Sequence, residues 1–121
     1  MVKALFDTNV LVDFLNAVPE AREELGRYDE KAISVITWIE VMVGADPDVE
    51  EATRRFLGTF TVVPLAGDVA ERAIALRRKH RIKLPDAVIW ASADARSMLL
   101  VTRNTKDFPA QTPGVRIPYT L

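Results

Sequence analysis

The sequence of 121 residues has no cysteine, one histidine, five glycines and a formal net charge of only −1. Without cysteine there can be no disulfide, thiolate nucleophile or Cys-type zinc site, which fits a reducing compartment. With His80 alone, inside "RRKHRIK", a His-rich zinc site is excluded and a Ser-His-Asp triad has little support; His80 reads as a solvated residue in a polar helix end. No G-x-x-x-x-G-K-[ST] or G-x-G-x-x-G stretch occurs, which argues against a glycine loop cradling nucleotide phosphates. There is no uninterrupted apolar run near the ~20 residues of a membrane-spanning helix. In "MVKALFDTNVLVDFLN", Asp7 and Asp13 break any signal-peptide core, so a cytoplasmic protein that avoids membranes is expected. The near-zero charge leaves no whole-molecule field toward polyanions, so such a partner must find a local patch.

What remains is an ordinary globular composition, 49% hydrophobic and 27% charged. A chain of this length removes roughly two-thirds of its unfolded surface from water. No repeat, low-complexity tract or linker divides it, and residues 1–121 are expected to form one domain.

Hydrophobic periodicity predicts alternating strands and helices. Lys3 to Phe6 reads as a buried strand, and Val10, Leu11, Phe14 and Leu15 recur at helical spacing before Pro19. A polar helix over Glu20 to Tyr28 precedes a second strand at Ala32 to Val35, and the apolar stretch Ile36 to Gly44 reads as a buried helix. Asp48 to Leu57 is amphipathic, "TFTVVPL" gives a third strand, and Asp68 to His80 is helical again. Pro85 suits the first turn of a helix running to about Ser97, where its missing N–H is surplus. "MLLVT" is the fourth strand and "GVRIP" a weak fifth. Strands alternating with such helices imply an α/β fold, a mostly parallel sheet of four to five strands covered on both faces. Ligands in such sheets bind beyond the carboxyl ends of the strands.

Against that frame, acidic residues stand in costly places. Asp7 ends the first strand in "ALFDTNVL", Glu40 interrupts the apolar "ITWIEVMV", Asp86 opens an apolar helix in "LPDAVIWASA", and Asp107 follows the fourth strand with Asn104 beside it. Each has an ordinary explanation. Asp7 can cap the helix starting at Thr8, Thr37 to Glu40 matches a T-x-x-E capping box, Asp86 complements a helix dipole, and Asp107 suits a surface turn. The joint placement of three acids at strand ends or helix starts facing one crevice is harder to dismiss. Two unit charges ~4 Å apart repel by ~4 kcal/mol at an effective dielectric of ~20. A divalent cation reverses that sign, and an oxygen-only site suits Mg²⁺, with Mn²⁺ as a substitute. The chemistry left open is metal-assisted attack on a phosphate ester.

The basic run Arg77, Arg78, Lys79, Arg81 and Lys83 offers phosphate contacts, with Arg103 and Lys106 flanking the candidate site; helix-end cations also serve the dipole and solubility. Trp38 and Trp90 read as packing residues rather than base-stacking platforms.

Four stretches in order, "FDTNVLVDFL", "SVITWIEVMVGA", "LPDAVIWASA" and "LLVTRNTKDF", together resemble a PIN domain, specifically the VapC toxins of bacterial and archaeal toxin-antitoxin pairs. The resemblance spans nearly the whole chain. It implies an α/β/α sandwich around a parallel sheet, with Asp7, Glu40 and Asp86 as the acidic metal-binding residues. It also implies a Mg²⁺- or Mn²⁺-dependent endoribonuclease cutting transfer RNA or a ribosomal RNA loop, a homodimer, and a VapB-type antitoxin whose C-terminal segment lies over the active site.

Many relatives carry an acid where this chain has Asn104, so Asp107 is expected as the fourth catalytic and metal-site member, acting through a water, with Asn104 as a neutral supporting ligand. Thr8 and Thr102 are expected to orient carboxylates or waters, or else to make local backbone hydrogen bonds. Two other readings stay open. One is a PIN-like module that binds a partner without catalysis. The other is a phosphatase with Asp7 as nucleophile, disfavoured because the D-x-D pattern is here Asp7-Thr8-Asn9.

Overall fold

The structure, a computed structural model, describes residues 2–108 and 112–121. Its first strand, β1 (Lys3–Phe6), buries Ala4, Leu5 and Phe6, as expected of a strand covered on both faces. Helix α1 (Thr8–Leu15) follows at once, then α2 (Pro19–Leu25), opened by proline in its first turn. β2 (Glu30–Ser34) runs directly into α3 (Val35–Val43) because the Ser34 hydroxyl accepts the Ile36 N–H at 3.1 Å. The chain continues through α4 (Glu50–Leu57), β3 (Thr61–Val63), α5 (Gly67–His80), α6 (Leu84–Ala95), β4 (Leu99–Val101) and β5 (Val115–Arg116).

All four strand pairings are parallel, in the order β3-β2-β1-β4-β5. Side-chain alternation along β1 explains the three layers. Leu5 joins a core with Val69, Ala73 and Leu76 of α5 and Ala87 to Ala91 of α6. Ala4 and Phe6 face the opposite way, toward Val10 and Leu11 of α1, Leu25 of α2, Val41 of α3 and Leu57 of α4. The result is the expected α/β/α sandwich, with five strands.

Two expectations need correction. Val35 belongs to α3 rather than to the second strand, since the Ser34 cap starts the helix one residue earlier. Nor is α3 a buried helix: Thr37 and Val41 are its buried residues, whereas Ile39 is half exposed and Val43 is 81% exposed. It packs on the sheet by one face and presents apolar side chains outward.

Candidate active site

β1 sits between β2 and β4, so the chain leaves it toward one edge of the sheet and later returns on its other side. This reversal opens a crevice beyond the carboxyl ends of β1 and β4. The residues that follow those strands, Asp7 and Thr102, meet there. The register Phe6 to Val101 aligns them, and the Asp7 N–H donates to the Val101 carbonyl at 2.9 Å.

Asp7 is 4% exposed and caps α1: its Oδ1 accepts the Thr8 N–H at 2.7 Å. Its Oδ2 accepts the Thr102 hydroxyl at 2.7 Å and the Asn9 amide at 3.3 Å. Burial pushes this carboxyl above its usual range; the hydrogen bonds from Thr102 and Thr8 pull it down, and the charges of Glu40 and Asp107 push it up again. Asp86, in the first turn of α6, is raised from 3.8 to about 6 by burial first and then by the charges of Asp7, Asp107 and Glu40, with Lys83 opposing. Asp7 and Asp86 therefore both feel the charges of Glu40 and Asp107, although the four come from the turn after β1, α3, α6 and the segment after β4.

The local geometry decides between the ordinary and the special reading of Glu40. Ser34, not Thr37, caps α3, and Thr37 lies buried inside the helix, so the T-x-x-E capping box does not form. Glu40 instead accepts the Thr8 hydroxyl at 2.7 Å through Oε1, and Thr8 lies 3.0 Å from the Thr37 hydroxyl. Thr8 thus reaches a carboxylate from its side chain while its N–H serves Asp7. Thr102 bridges Asp7 and the Asn104 N–H, which it accepts at 3.0 Å. Asn104 donates to Asp107 Oδ2 at 2.9 Å and accepts the Asp107 N–H at 3.2 Å, a closed turn that aims Asp107.

The cations are distributed unevenly. Arg77, Arg78, Lys79 and Arg81 are exposed at the end of α5, where Arg77 also donates to the Ile82 carbonyl. Arg81 takes a left-handed conformation, φ 55°, which turns the chain sharply toward Lys83 and the start of α6. Lys106 is exposed beside the crevice. Arg103 is different: its guanidinium forms a two-point ion pair with Asp13, so its first partner is a carboxylate of this chain. The structure also adds Asn9, Asp13 and Tyr119, which sequence reasoning passed over. Asp13 carried a signal, because it lies on the buried face of α1 with Val10 and Leu11. His80, expected to be a solvated residue, is instead half-buried and packs against Trp90 at 4.8 Å between ring centroids; Trp90 packs against Phe108 at 5.5 Å, and Trp90 and Phe108 belong to the core.

Among the described residues, none of Asp7, Glu40, Asp86 and Asp107 pairs with lysine or arginine. Nor do any three acidic or histidine side chains there stand close enough to ligate one ion as placed. The fit to a divalent cation is therefore one of donor chemistry: hard oxygens, like charges near one another and, among the described residues, no lysine or arginine in ion-pair contact with them. Side-chain rotation would have to bring the acids together.

A parallel α/β domain with uncompensated carboxylates at its switch point is the class that fold and site define. The sequence pattern of the PIN domain matches residues 4–111, and the chain belongs to the PIN-domain family. It is 34% identical over 113 residues to Ribonuclease VapC10 of Mycobacterium tuberculosis, covering 87% of this chain and 85% of that protein. A solved toxin-antitoxin complex from Klebsiella pneumoniae contains a chain 48% identical, superposing with a TM-score of 0.94 over 98% of this chain and all of that one. The crystal structure of FitAcB from Neisseria gonorrhoeae shares the fold at 23% identity, with a TM-score of 0.81 over 98% of this chain and 99% of that chain.

Proposed function

We propose that this chain is a VapC-type toxin, a Mg²⁺-dependent endoribonuclease that accepts Mn²⁺, works in the cytoplasm on transfer or ribosomal RNA, and is restrained by a VapB-type antitoxin. The observation that carries the reading is the burial of Asp7 and half-burial of Asp86 beyond the strand ends, near Glu40 and Asp107, with none of the four in an ion pair with lysine or arginine among the described residues. Similarity to a ribonuclease and to a chain of a toxin-antitoxin complex supports the class of substrate and partner.

In this reading Asp7, Glu40 and Asp86 hold the cation, and Asp107 orients the attacking water with Asn104 fixing its carboxylate. A bound divalent cation supplies Lewis-acid stabilisation of charge on the phosphodiester and activation of water. Thr8 and Thr102 set the directions in which Glu40 and Asp7 present their oxygens. Arg77, Arg78, Lys79, Arg81 and Lys106 attract the RNA backbone. An open, largely apolar groove of about 490 Å³ between α1, α3 and α4, walled by Val12, Leu15, Val41 and Val49, reaches Glu40 and suits an apolar segment of the antitoxin. The outward apolar face of α3 suits a second copy of the chain.

RNA cleavage measured with EDTA and after Mg²⁺ is restored tests the core of this proposal. Chelation is expected to abolish cleavage, and Asp7→Asn or Asp86→Asn to lower it at least ~100-fold, the upper end for loss of an outer partner. Cleavage indifferent to chelation would overturn it. The phosphatase reading is weakened by Asp7 itself, both of whose oxygens already accept hydrogen bonds. A non-catalytic module predicts no stabilisation by Mg²⁺, which thermal melting distinguishes.

A further inference from the structure

Helix α1 presents Asn9 and Asp13 one turn apart on one face, and both grip Arg103. The Arg103 backbone N–H donates to Asn9 Oδ1 at 3.2 Å. Its guanidinium closes a fork on Asp13, with Nε 2.7 Å from Oδ2 and Nη2 3.0 Å from Oδ1. The Tyr119 hydroxyl donates to the same Oδ2 at 2.8 Å. Asp13 is only 6% exposed, so its carboxylate depends on these donors in place of water.

Arg103 lies between two residues of the crevice. On one side the Thr102 hydroxyl donates to Asp7, and on the other Asn104 donates to Asp107. Main chain and side chain of residue 103 are thus both fastened to α1, the helix that Asp7 caps. A fork to a carboxylate fixes direction as well as distance, which a lysine cannot reproduce.

We infer that Arg103 is a positioning residue: clamped between Asn9 and the Asp13–Tyr119 pair, it holds the segment of Thr102, Asn104 and Asp107 in register with Asp7. A direct contact to RNA would require it to release a nearly buried carboxylate, leaving Asp13 with Tyr119 as its remaining donor. The inference rests on the nuclease reading above, because it assigns the clamp a task in that reaction.

The test compares Arg103→Ala, Arg103→Lys and Tyr119→Phe with the wild-type chain by steady-state RNA cleavage, salt dependence, amide exchange of residues 102–107 and Mn²⁺ binding. For Arg103→Ala, kcat is expected to fall about 10- to 100-fold with KM unchanged, Mn²⁺ affinity to weaken, and the segment to exchange faster. Arg103→Lys keeps the charge but loses the fork, so it too is expected to lower kcat, and Tyr119→Phe to do so mildly. If Arg103→Ala fails to melt cooperatively, Arg103→Lys and Tyr119→Phe carry the comparison. A raised KM with unchanged kcat and exchange, and a salt slope reduced by about one, would mark Arg103 as a phosphate contact and overturn the inference. A wild-type chain that cleaves no RNA refutes the nuclease reading instead, while the exchange of residues 102–107 still reports on the clamp.

Discussion

The Thr8 hydroxyl lies 2.7 Å from Glu40 Oε1, joining the first turn of α1 to the middle of α3 across the crevice. Glu40 itself is exposed, so without this bond its side chain would be free to turn into water. Thr8→Val removes the hydroxyl while keeping the shape. It is expected to lower RNA cleavage about 10- to 100-fold, the usual cost of losing a partner that orients a ligand. Stability should change by no more than ~1.5 kcal/mol, the net worth of one hydrogen bond. Thr8→Ser should stay near wild type, and initial rates with melting curves for both variants check this.

Asp86 makes the metal-free fold sensitive to pH. Its folded carboxyl binds a proton more tightly than the unfolded one, rising from 3.8 to about 6. The stabilisation this gives is complete below about pH 4, is lost as the pH climbs toward 6, and stays lost above it. Buried Asp7 shifts in the same direction and adds to the trend. In EDTA, Asp86→Asn is therefore expected to be more stable than wild type at pH 7, by roughly 1 kcal/mol after allowing for solvent screening of this half-buried group. The two should converge near pH 4. Urea unfolding of both proteins across pH 4–8 measures the difference, and Mg²⁺ should remove the wild-type penalty at pH 7.

Much of this organisation is legible in the sequence because burial leaves a periodic trace. "KALF" followed by aspartate marks a strand running into a crevice, and Pro85 marks the opening of α6. The same logic fails where two local signals compete. Thr37 to Glu40 satisfies a capping pattern, yet Ser34 starts the helix and frees Glu40 for Thr8. Periodicity also says nothing about which face of an apolar helix meets the sheet, hence the exposed Ile39 and Val43. The pairing of Asp13 with Arg103 spans 90 residues and has no local signature beyond a charge on a buried helix face.

Held by Arg116 of the edge strand β5, Glu24 is a structural counterpart to the crevice acids. It is 4% exposed and accepts a fork from Arg116, at 2.7 and 3.0 Å, and the Tyr28 hydroxyl at 2.9 Å. Burial alone would raise its pKa, but hydrogen bonds from Arg116 and Tyr28 and the charges of Arg116 and Arg27 leave it below 4.5. Its contribution is thus present above about pH 4.5 and lost as the pH falls through the lowered value, the reverse of Asp86. Glu24→Gln is expected to cost about 2 kcal/mol at neutral pH, less than a fully buried pair because Arg116 is partly exposed. Denaturant titrations at pH 7 and pH 3 should show that cost shrinking in acid, with cleavage per folded molecule unchanged.

The outward face of α3 yields a prediction about assembly. Ile39 and Val43 stand exposed beside Trp38, whose ring carries the Arg54 guanidinium at 5.4 Å. A twofold interface would bury each of them twice, and removing Val43 from both copies forfeits about 3 kcal/mol or more, equivalent to over 100-fold in dissociation constant. On the proposal that this face meets a second copy, the wild-type chain is expected to sediment as a dimer at micromolar concentration and Val43→Asp as a monomer. Because Val43 is 81% exposed within one chain, the fold itself should change by no more than about 0.5 kcal/mol. A dimer that persists in Val43→Asp would place the contact between copies on another surface.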